Sequence, residues 1–328
     1  MEKVIALIVS HNRQALLSEC VSALRNQTRR PDAILVINNG STDNTAEWLK
    51  SQSDILHITQ GNEGPGHAFS TAINWAYKNG YAWMWCMDDD GYPKEDALQT
   101  LLDVDTPDRS LLNCAVIDKE NKKSFVWNTK NYKTIDEVNE PLIKGIGHPF
   151  NGTLIHRAIV EKVGTPKPGL FLWGDETEYY YRIVKKYQIP VYTVTNSIHY
   201  HPAAAFSYKK DWDFKSSWKI YFYVRNRFHV NKTRFSSKIM AALHYVFFIT
   251  AFAGTILVYQ KTDKVKKLNF LIWPLADAFK NNFSATPTVI IQQLANRNSK
   301  VSLITPIRNL LNAVFTPSTA ERAKTATA

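Results

Sequence analysis

Residues 4–87 alternate short apolar runs with segments of helical spacing, and this alternation limits the possible folds more than any other feature of the chain. The apolar runs have the length of buried strands, and the segments between them repeat apolar residues with helical spacing. In chain order the segments are VIALIVS, QALLSECVSALRNQ, DAILVINNGSTDNT, TAEWLKSQ, ILHITQ, GPGHAFSTAINWAYKNG and YAWMWCM. The pattern predicts βαβ units and therefore an α/β fold: a mainly parallel sheet flanked by helices, with ligands bound at the carboxyl ends of the strands.

Composition and charge narrow the class of protein. The chain has 328 residues, of which 45% are hydrophobic and 21% charged, which predicts one large domain with a full core and a smaller appendage. The net charge is +11, and Lys and Arg are most frequent after residue 205. This distribution favours a basic C-terminal surface for phosphate or anionic lipid over a nucleic-acid-binding domain.

Cysteine usage and the N-terminal segment both indicate a cytosolic protein. Cys20, Cys86 and Cys114 are far apart and form no C-x-x-C pair, so we expect reduced core thiols. The segment MEKVIALIVSHNR has only a short apolar run before polar residues, which predicts a first strand and not a signal peptide.

Three consecutive carboxylates follow the last apolar run, in MDDDGYP. Side chains of an extended chain alternate, so we expect Asp88 and Asp90 to point one way and Asp89 the other. Adjacent anions at the end of a buried strand repel one another unless a cation or protons neutralise them. Mg²⁺ or Mn²⁺ holding a substrate diphosphate would do so. The alternative is a solvated turn before Pro93.

A glycine-rich loop, GNEGPGH, precedes the third predicted helix. Gly61, Gly64 and Gly66 allow close backbone approach and expose N–H groups ahead of a helix, which suits an anion. The alternative is a plain helix-entry turn. The spacing G-x-x-G-x-G also differs from the dinucleotide-binding fingerprint G-x-G-x-x-G.

Four segments, in this order, resemble inverting family 2 glycosyltransferases, which have the GT-A fold. They are ALIVSHNRQALLSECVSALRNQT, ILVINNGSTDNT, GNEGPGHAFSTAIN and MWCMDDDGYP. The resemblance covers about residues 3–230, and within the family WGDETEYYYRI and YFYVRNR are similar to galactofuranosyltransferases and bacterial rhamnosyltransferases. It implies that the nucleotide diphosphate is bound by Ser10, Asn12, Arg13, Asn38, Asn39, Asn62, Gly64, Asp88 and Asp89.

One position departs from the family pattern. Relatives usually have D-N-G-S-x-D after the second strand, whereas this chain has Asn38 in place of the first Asp. An amide still has a donor and an acceptor for a pyrimidine edge, so the departure bears on donor-base preference and not on activity.

The segment LFLWGDETEYYYRIVKKYQ is the candidate catalytic motif. Inverting transfer needs one base that takes a proton from the acceptor hydroxyl while a metal stabilises the leaving diphosphate. The resemblance favours Asp175 as this base, Glu176 as a second, acceptor-binding carboxylate, and Trp173 as a surface for an acceptor sugar ring. The alternative is that Asp175 only caps a helix, because Asp175-x-x-Glu178 is also a capping pattern.

Two histidines end the predicted strand VYTVTNSIHYH. His199 and His201 fall on the same side of an extended chain. A histidine in a strand has many structural roles. The resemblance implies that a histidine here completes the metal site, with His201 favoured and His199 as the alternate.

The C-terminal part is basic and aromatic. Arg225 and Arg227 lie in a predicted helix that either faces the donor diphosphate or forms a solvated cationic face. Residues 240–259 lack Lys, Arg, Asp and Glu and are long enough to span a bilayer. Basic residues flank both ends, however, so we favour a helix that lies at an anionic membrane surface or packs within a helical region.

The sequence therefore predicts a GT-A domain at 1–230, a helical, basic, membrane-associating region at 231–315, and a disordered tail at 316–328. The predicted activity is Mn²⁺- or Mg²⁺-dependent inverting transfer of a hexose, galactofuranose or rhamnose, from a nucleotide-diphosphate sugar to a lipid-linked bacterial surface glycan such as O-antigen. The predicted location is cytoplasmic and peripheral, at the inner face of the cell membrane, with no nucleic-acid partner.

Two alternatives remain at this point. A nucleotidyltransferase also combines a βαβ sheet with a carboxylate-bound metal, but it would be expected to carry an early Gly-rich loop with a basic residue, and SHNRQ lacks the glycines. A catalytically silent, membrane-docked glycan-binding subunit is the second alternative. Retention of Asp88, Asp90, Asp175 and His201 argues against it.

Overall fold

The computed structural model describes residues 2–106, 109–203 and 209–296. The chain forms two compact units: the first is Met1–Phe171 with Asp175–Ala205, and the second is Leu172–Gly174 with Phe206–Ala328. The domain boundary predicted at residue 230 therefore falls inside the second unit, within the helix Lys219–Arg234. The tail predicted at 316–328 lies outside the described residues.

The first unit contains the predicted strand and helix alternation. Its strands are β1 (Val4–Ser10), β2 (Ala33–Asn39), β3 (Ile55–Gln60), β4 (Trp83–Asp88), β5 (Tyr92–Pro93), β6 (Leu111–Asp118), β7 (Ser124–Thr129), β8 (Tyr132–Thr134), β9 (Leu142–Lys144), β10 (Asn151–His156) and β11 (Val191–His201). Its helices are α1 (Gln14–Arg25), α2 (Thr45–Lys50), α3 (Pro65–Lys78), α4 (Ala97–Leu102), α5 (Arg157–Val163) and α6 (Asp175–Tyr181).

The strands form one mixed sheet in the order β3-β2-β1-β4-β10-β6-β11-β5. Strands β3, β2, β1 and β4 are mutually parallel, and β6 is parallel to β11, as the sequence predicts. Strand β10 runs antiparallel between β4 and β6, which the alternation of elements did not predict. The α/β class with helices on both faces of a mostly parallel sheet is confirmed.

The core forms because β1 and β4 are buried on both faces. Alternate residues of β1 enter two separate apolar clusters, one under each face of the sheet. The buried stripe of α1 packs on one face and that of α3 on the other. The three cysteines are buried and unpaired, as expected.

The described part of the second unit is helical, with α7 (Lys219–Arg234), α8 (Lys238–Tyr259), α9 (Lys264–Lys280) and α10 (Pro287–Asn296). Helix α7 packs against both α8 and α9. Lys267 of α9 is fully buried, and its Nζ donates to Asp211 Oδ1 and Gln260 Oε1, both at 2.9 Å. The Asp211 carboxylate balances the charge of Lys267, whose burial without a partner would be unfavourable.

Helix α8 leaves most of its apolar surface uncovered by the described residues. It has 22 residues, an 18-residue window of which has a mean hydropathy of 1.9, and 22% of that window is buried. Its length and composition would allow it to cross a membrane, which by itself is weak evidence that it does.

Candidate active site

The candidate donor residues lie at the carboxyl edge of the parallel strands, as predicted. Ser10 at the end of β1 pairs with Asn38 of β2, and Val9 pairs with Asp88 of β4. The last residue of β2, Asn39, pairs with the last residue of β3. Strand register therefore brings together side chains that are far apart in sequence.

Hydrogen bonds tie the end of β2 to the glycine-rich loop. The Oδ1 atom of Asn39 accepts from Gln60 Nε2 at 3.0 Å and from the Glu63 N–H at 3.3 Å. Asn62 Oδ1 accepts from the Gly64 N–H at 3.3 Å. The loop is therefore held in place by the two asparagines that the resemblance assigns to the nucleotide.

His11 is also part of this network, although no sequence pattern singled it out. Its Nδ1 donates to the Asn39 carbonyl at 2.9 Å, and Asn62 Nδ2 donates to its Nε2 at 3.2 Å. The available signal was its position in SHNRQ, between two residues that were assigned to the donor site.

Asn38 carries an unsatisfied donor. Its Oδ1 accepts from the Ser41 N–H at 3.1 Å, which fixes the orientation of the amide. Its side chain is fully buried, and its Nδ2 has no hydrogen-bond partner among the described residues. A buried donor without a partner is costly, so this atom suits a ligand with an acceptor, such as a pyrimidine carbonyl.

Asn12, whose φ is +55°, connects the loop after β1 to the loop after β2. Asn12 Oδ1 accepts from the Thr42 N–H at 2.7 Å, and the Asn12 N–H donates to Ser41 Oγ at 3.0 Å. These two bonds clamp the loop after β1 to the loop after β2, directly beside Asn38.

The aspartate triplet is linked to β1 through Ser10 and Arg13. Ser10 Oγ donates to Asp89 Oδ2 at 2.8 Å, and Arg13 Nη1 donates to Asp89 Oδ1 at 3.1 Å and to Asp90 Oδ2 at 2.7 Å. Asp89 and Asp90 therefore share one guanidinium, which differs from the alternation expected at 88–90. The reason is that β4 ends at Asp88 and the chain turns immediately afterwards.

The three carboxylates have different acidities. Burial, together with the charges of Asp90 and Asp89, raises the pKa of Asp88 well above its usual value. Burial also raises the pKa of Asp89, and Arg13 and Ser10 offset only part of that effect. Burial likewise acts on Asp90, but its interactions with His201 and Arg13 outweigh it and lower its pKa to about 2. Asp88 is therefore the carboxylate with most to gain from a cation.

Asp90 and His201 form the pair that best fits a metal ion. Asp90 Oδ1 is buried without a hydrogen-bond partner among the described residues, and it faces His201 Nε2 at 3.3 Å. His201 Nδ1 donates to the Pro202 carbonyl at 2.7 Å, so in the neutral imidazole Nε2 presents a lone pair to the carboxylate. A cation bound between the two atoms relieves this contact.

The described residues contain no ready-made cluster of three or more His, Cys, Asp or Glu side chains that could hold a metal. Asp88, Asp90 and His201 fit the oxygen and nitrogen donor set of Mn²⁺ or Mg²⁺ by chemistry. Arg13 supplies a positive charge beside Asp90 at 2.7 Å.

The alternate ligand, His199, has a different environment. It is fully buried, neither ring nitrogen has a hydrogen-bond partner among the described residues, and burial lowers its pKa to about 3. Its Nε2 lies where a side chain on Gly91 would have to be. His199 is thus neutral and packed under the turn that follows the aspartates, which favours His201 as the ligand.

The candidate base, Asp175, opens α6 and is 2% exposed. Its Oδ1 has no hydrogen-bond partner among the described residues, so that oxygen does not cap the helix. Burial, the charge of Glu176 and, more weakly, the charge of Asp88 raise the pKa of Asp175 well above its usual value. A buried carboxylate of high proton affinity with one free oxygen is suited to accept a proton.

Two glycines bring the donor loop against this motif. A Cβ on Gly66 would lie 2.9 Å from Asp175 Cβ and 3.1 Å from its Oδ2. Gly64 has a φ of +83°, and a Cβ there would lie 2.5 Å from the Phe171 carbonyl oxygen. The glycines are therefore needed for the loop to approach the candidate catalytic motif, beyond any role as a helix-entry turn.

Trp173 and Arg225 belong to the second unit. Trp173 has a φ of +54° and contacts the Tyr223 ring edge-on at 6.1 Å. The Arg225 side chain is fully buried, and its guanidinium lies 5.0 Å from the Phe222 ring centroid. A solvated cationic face is thus wrong for Arg225, while its diphosphate contact stays a prediction.

Comparison with known proteins shows which family the chain belongs to. Residues 5–164 match the model of "Glycosyl transferase family 2". Galactofuranosyltransferase GlfT1 of Mycolicibacterium smegmatis is 30% identical over 224 residues, which is 63% of this chain and 74% of the relative. The chain belongs to glycosyl transferase family 2. It is accordingly a glycosyltransferase, and its relatives support a role in glycan synthesis.

Solved structures show the same fold at low identity. TarS 1–349 of S. aureus aligns with a TM-score of 0.53 at 13% identity, covering 95% of this chain and 89% of that one. GalNAc-T7, solved with UDP, GalNAc and Mn²⁺, aligns with a TM-score of 0.54 at 15% identity. The alignment covers 90% of this chain and 57% of GalNAc-T7.

Proposed function

We propose that the protein is a metal-dependent inverting glycosyltransferase that moves a hexose, with galactofuranose favoured, from a nucleotide-diphosphate sugar to a lipid-linked bacterial surface glycan. The observation that carries the proposal is the buried carboxyl of Asp175, whose Oδ1 has no hydrogen-bond partner among the described residues and whose Oδ2 lies against Gly66 of the donor loop. Its raised pKa gives it the proton affinity that a base requires.

The nucleotide end of the donor is assigned to the edge formed by β1, β2 and the glycine-rich loop. The buried Nδ2 of Asn38 supports a pyrimidine with a carbonyl acceptor, since its Oδ1 is already bonded to Ser41. GalNAc-T7, which shares the fold, binds UDP, which supports a uridine donor. The galactofuranosyltransferase relative supports galactofuranose over rhamnose.

Asp88, Asp90 and His201 would hold Mn²⁺ or Mg²⁺. When bound, such an ion stabilises the negative charge of the leaving diphosphate. Arg13, which pairs with Asp89 and Asp90, provides a cation for phosphate oxygens. The Mn²⁺ in the GalNAc-T7 structure supports metal use by this fold.

The chain's own residues account for the proton transfer. The acceptor hydroxyl attacks the anomeric carbon from the side opposite the diphosphate, and its proton passes to Asp175. The bond between the anomeric carbon and the diphosphate breaks, and the diphosphate leaves with the electron pair. Attack from the opposite side gives inversion. Glu176 binds a second acceptor hydroxyl, and its charge beside Asp175 raises the proton affinity of the base.

Transfer from UDP-galactofuranose in the presence of Mn²⁺ tests the proposal. We expect a glycoside product of inverted anomeric configuration with a galactofuranoside acceptor, and loss of product with EDTA. Parallel reactions with dTDP-rhamnose and UDP-glucose test the choice of sugar. Binding of the donor without hydrolysis or transfer would instead identify a silent glycan-binding subunit.

The membrane partner is assigned to α8 and the basic residues that follow it. Eight large apolar residues of α8 are at least 42% exposed, which gives the helix an extensive apolar surface. They are Ile239, Met240, Leu243, Val246, Phe247, Leu257, Val258 and Tyr259. Lys261, Lys264 and Lys266 follow directly and suit anionic headgroups. This supports a peripheral position at the inner face of the cell membrane.

Replacing Phe247 and Val258, both 73% exposed, by Glu should abolish binding to vesicles that contain anionic lipid. Vesicle co-sedimentation measures the effect, and high salt should weaken binding of the parent because headgroup attraction is screened. Leu56→Glu is the control, since Leu56 is 42% exposed on the edge strand β3 of the other unit. Resistance of the parent to salt and alkaline carbonate would contradict peripheral binding and indicate a span.

A further inference from the structure

Trp127 contacts two imidazoles near the aspartate triplet, and no prediction from sequence included it. Its ring centroid lies 5.0 Å from that of His201 and 5.2 Å from that of His148, with interplanar angles of 49° and 36°. Trp127 belongs to β7, which pairs with β6 and β8 outside the main strand order. The indole thus reaches the candidate metal site from a hairpin that supplies none of its ligands.

His201 needs support beyond its own strand. Its Nδ1 bond goes to the carbonyl of Pro202, the next residue, so this bond fixes the tautomer but moves with the strand end. The position of Nε2, which faces Asp90 Oδ1 at 3.3 Å, therefore depends on what packs against the ring. Trp127 supplies an aromatic surface at this place.

His148 links the same indole to the strand that carries Asp88. The His148 carbonyl accepts from the Asn151 N–H at 3.2 Å, and Asn151 begins β10, where it pairs with Met87 of β4. The adjacent Phe150 carbonyl accepts from the Asp88 N–H at 3.0 Å. Trp127 therefore contacts one ring that faces Asp90 and another whose backbone is bonded beside Asp88.

We propose that Trp127 is a positioning residue for the metal site: by packing on His201 and His148 it holds the His201 imidazole toward Asp90 and so sets the affinity for a divalent cation. The inference rests on the proposed metal role of Asp88, Asp90 and His201. Residues that orient a metal-ligating histidine typically change metal affinity by about 10- to 100-fold when replaced. Trp127 touches the imidazole and not the ion, so it acts through His201.

Mn²⁺ binding without any nucleotide tests the proposal. We expect Trp127→Leu, which keeps apolar bulk but removes the ring, to raise the Mn²⁺ Kd at least about tenfold by electron paramagnetic resonance. Trp127→Phe should stay within a few-fold of the parent. Trp83→Leu is the matched control, because Trp83 also contacts a histidine, His156 at 4.6 Å, at the opposite end of β4.

A double-mutant cycle separates positioning from general loosening of the fold. In a His201→Ala background, Trp127→Leu should cause no further loss of Mn²⁺ affinity. Equal losses in both backgrounds, or an unchanged Kd in folded Trp127→Leu, would overturn the proposal. If the parent itself binds no Mn²⁺ saturably, the metal assignment fails first, and the role of Trp127 fails with it.

Discussion

Asp90→Ala should abolish sugar transfer and the Mn²⁺ dependence of donor binding. Asp90 is the residue where the candidate metal site, Arg13 and His201 meet, with contacts of 2.7 Å to Arg13 Nη1 and 3.3 Å to His201 Nε2. Its replacement would remove a proposed metal ligand and leave Arg13 without one of its two carboxylate partners. Titration of donor binding against Mn²⁺ and a transfer assay measure the two losses.

Asp96→Ala is the control for this variant, because Asp96 is an aspartate of the same region that pairs only at the surface, with Lys94 at 2.9 Å. Exposed pairs of this kind contribute little to stability. Transfer by Asp90→Ala within a few-fold of the parent would show that the metal assignment is wrong.

The same variant has a pH signature in the presence of a chelator. Because the pKa of Asp90 is lowered from 3.8 to about 2, its charge stabilises the fold above the unfolded pKa, and this contribution is lost as the pH falls through the folded pKa. The melting temperatures of parent and Asp90→Ala should therefore converge as the pH is lowered from neutral toward about 2.

The strands and helices that carry the donor site were predictable because local patterns determine them. The runs at β1, β2, β3 and β4 are apolar, of strand length and separated by helical spacing, and the structure confirms all four as parallel strands. The edge of the sheet at which ligands are expected to bind was predicted from that topology alone. The insertion of β10 between β4 and β6 was not predictable, because pairing order depends on contacts that are distant in sequence.

The features that the sequence did not predict also have identifiable structural causes. The alternation predicted for Asp88–Asp90 required an extended chain, and β4 ends one residue too early. The domain boundary was predicted at residue 230 because the family resemblance extends to about that residue, whereas the second compact unit includes the chain from Phe206 onward. No sequence pattern indicated a role for Trp127, since its contacts with His148 and His201 join three separate segments of the chain.

Asp175→Asn should retain the fold and lose sugar transfer by at least about a hundredfold, because a positioned base contributes about 10²- to 10⁴-fold to a rate. Asn keeps the size of the side chain and caps helices about as well as Asp. Donor binding, followed by calorimetry, should remain close to that of the parent. Glu176→Gln is the matched control and should raise the acceptor KM more than it lowers kcat.

The stability of Asp175→Asn separates catalysis from capping. The pKa of Asp175 is raised in the folded state, so at neutral pH its charge opposes folding, and the opposition disappears as the pH falls below the unfolded pKa. Removing that charge should leave the melting temperature at pH 7 equal to or above that of the parent, whereas loss of a helix cap would lower it. If Asp175 is the base, we expect an inactive variant that melts higher, because the environment of the carboxylate disfavours its charge. A variant that transfers normally, beside an inactive Glu176→Gln, would assign the base to Glu176.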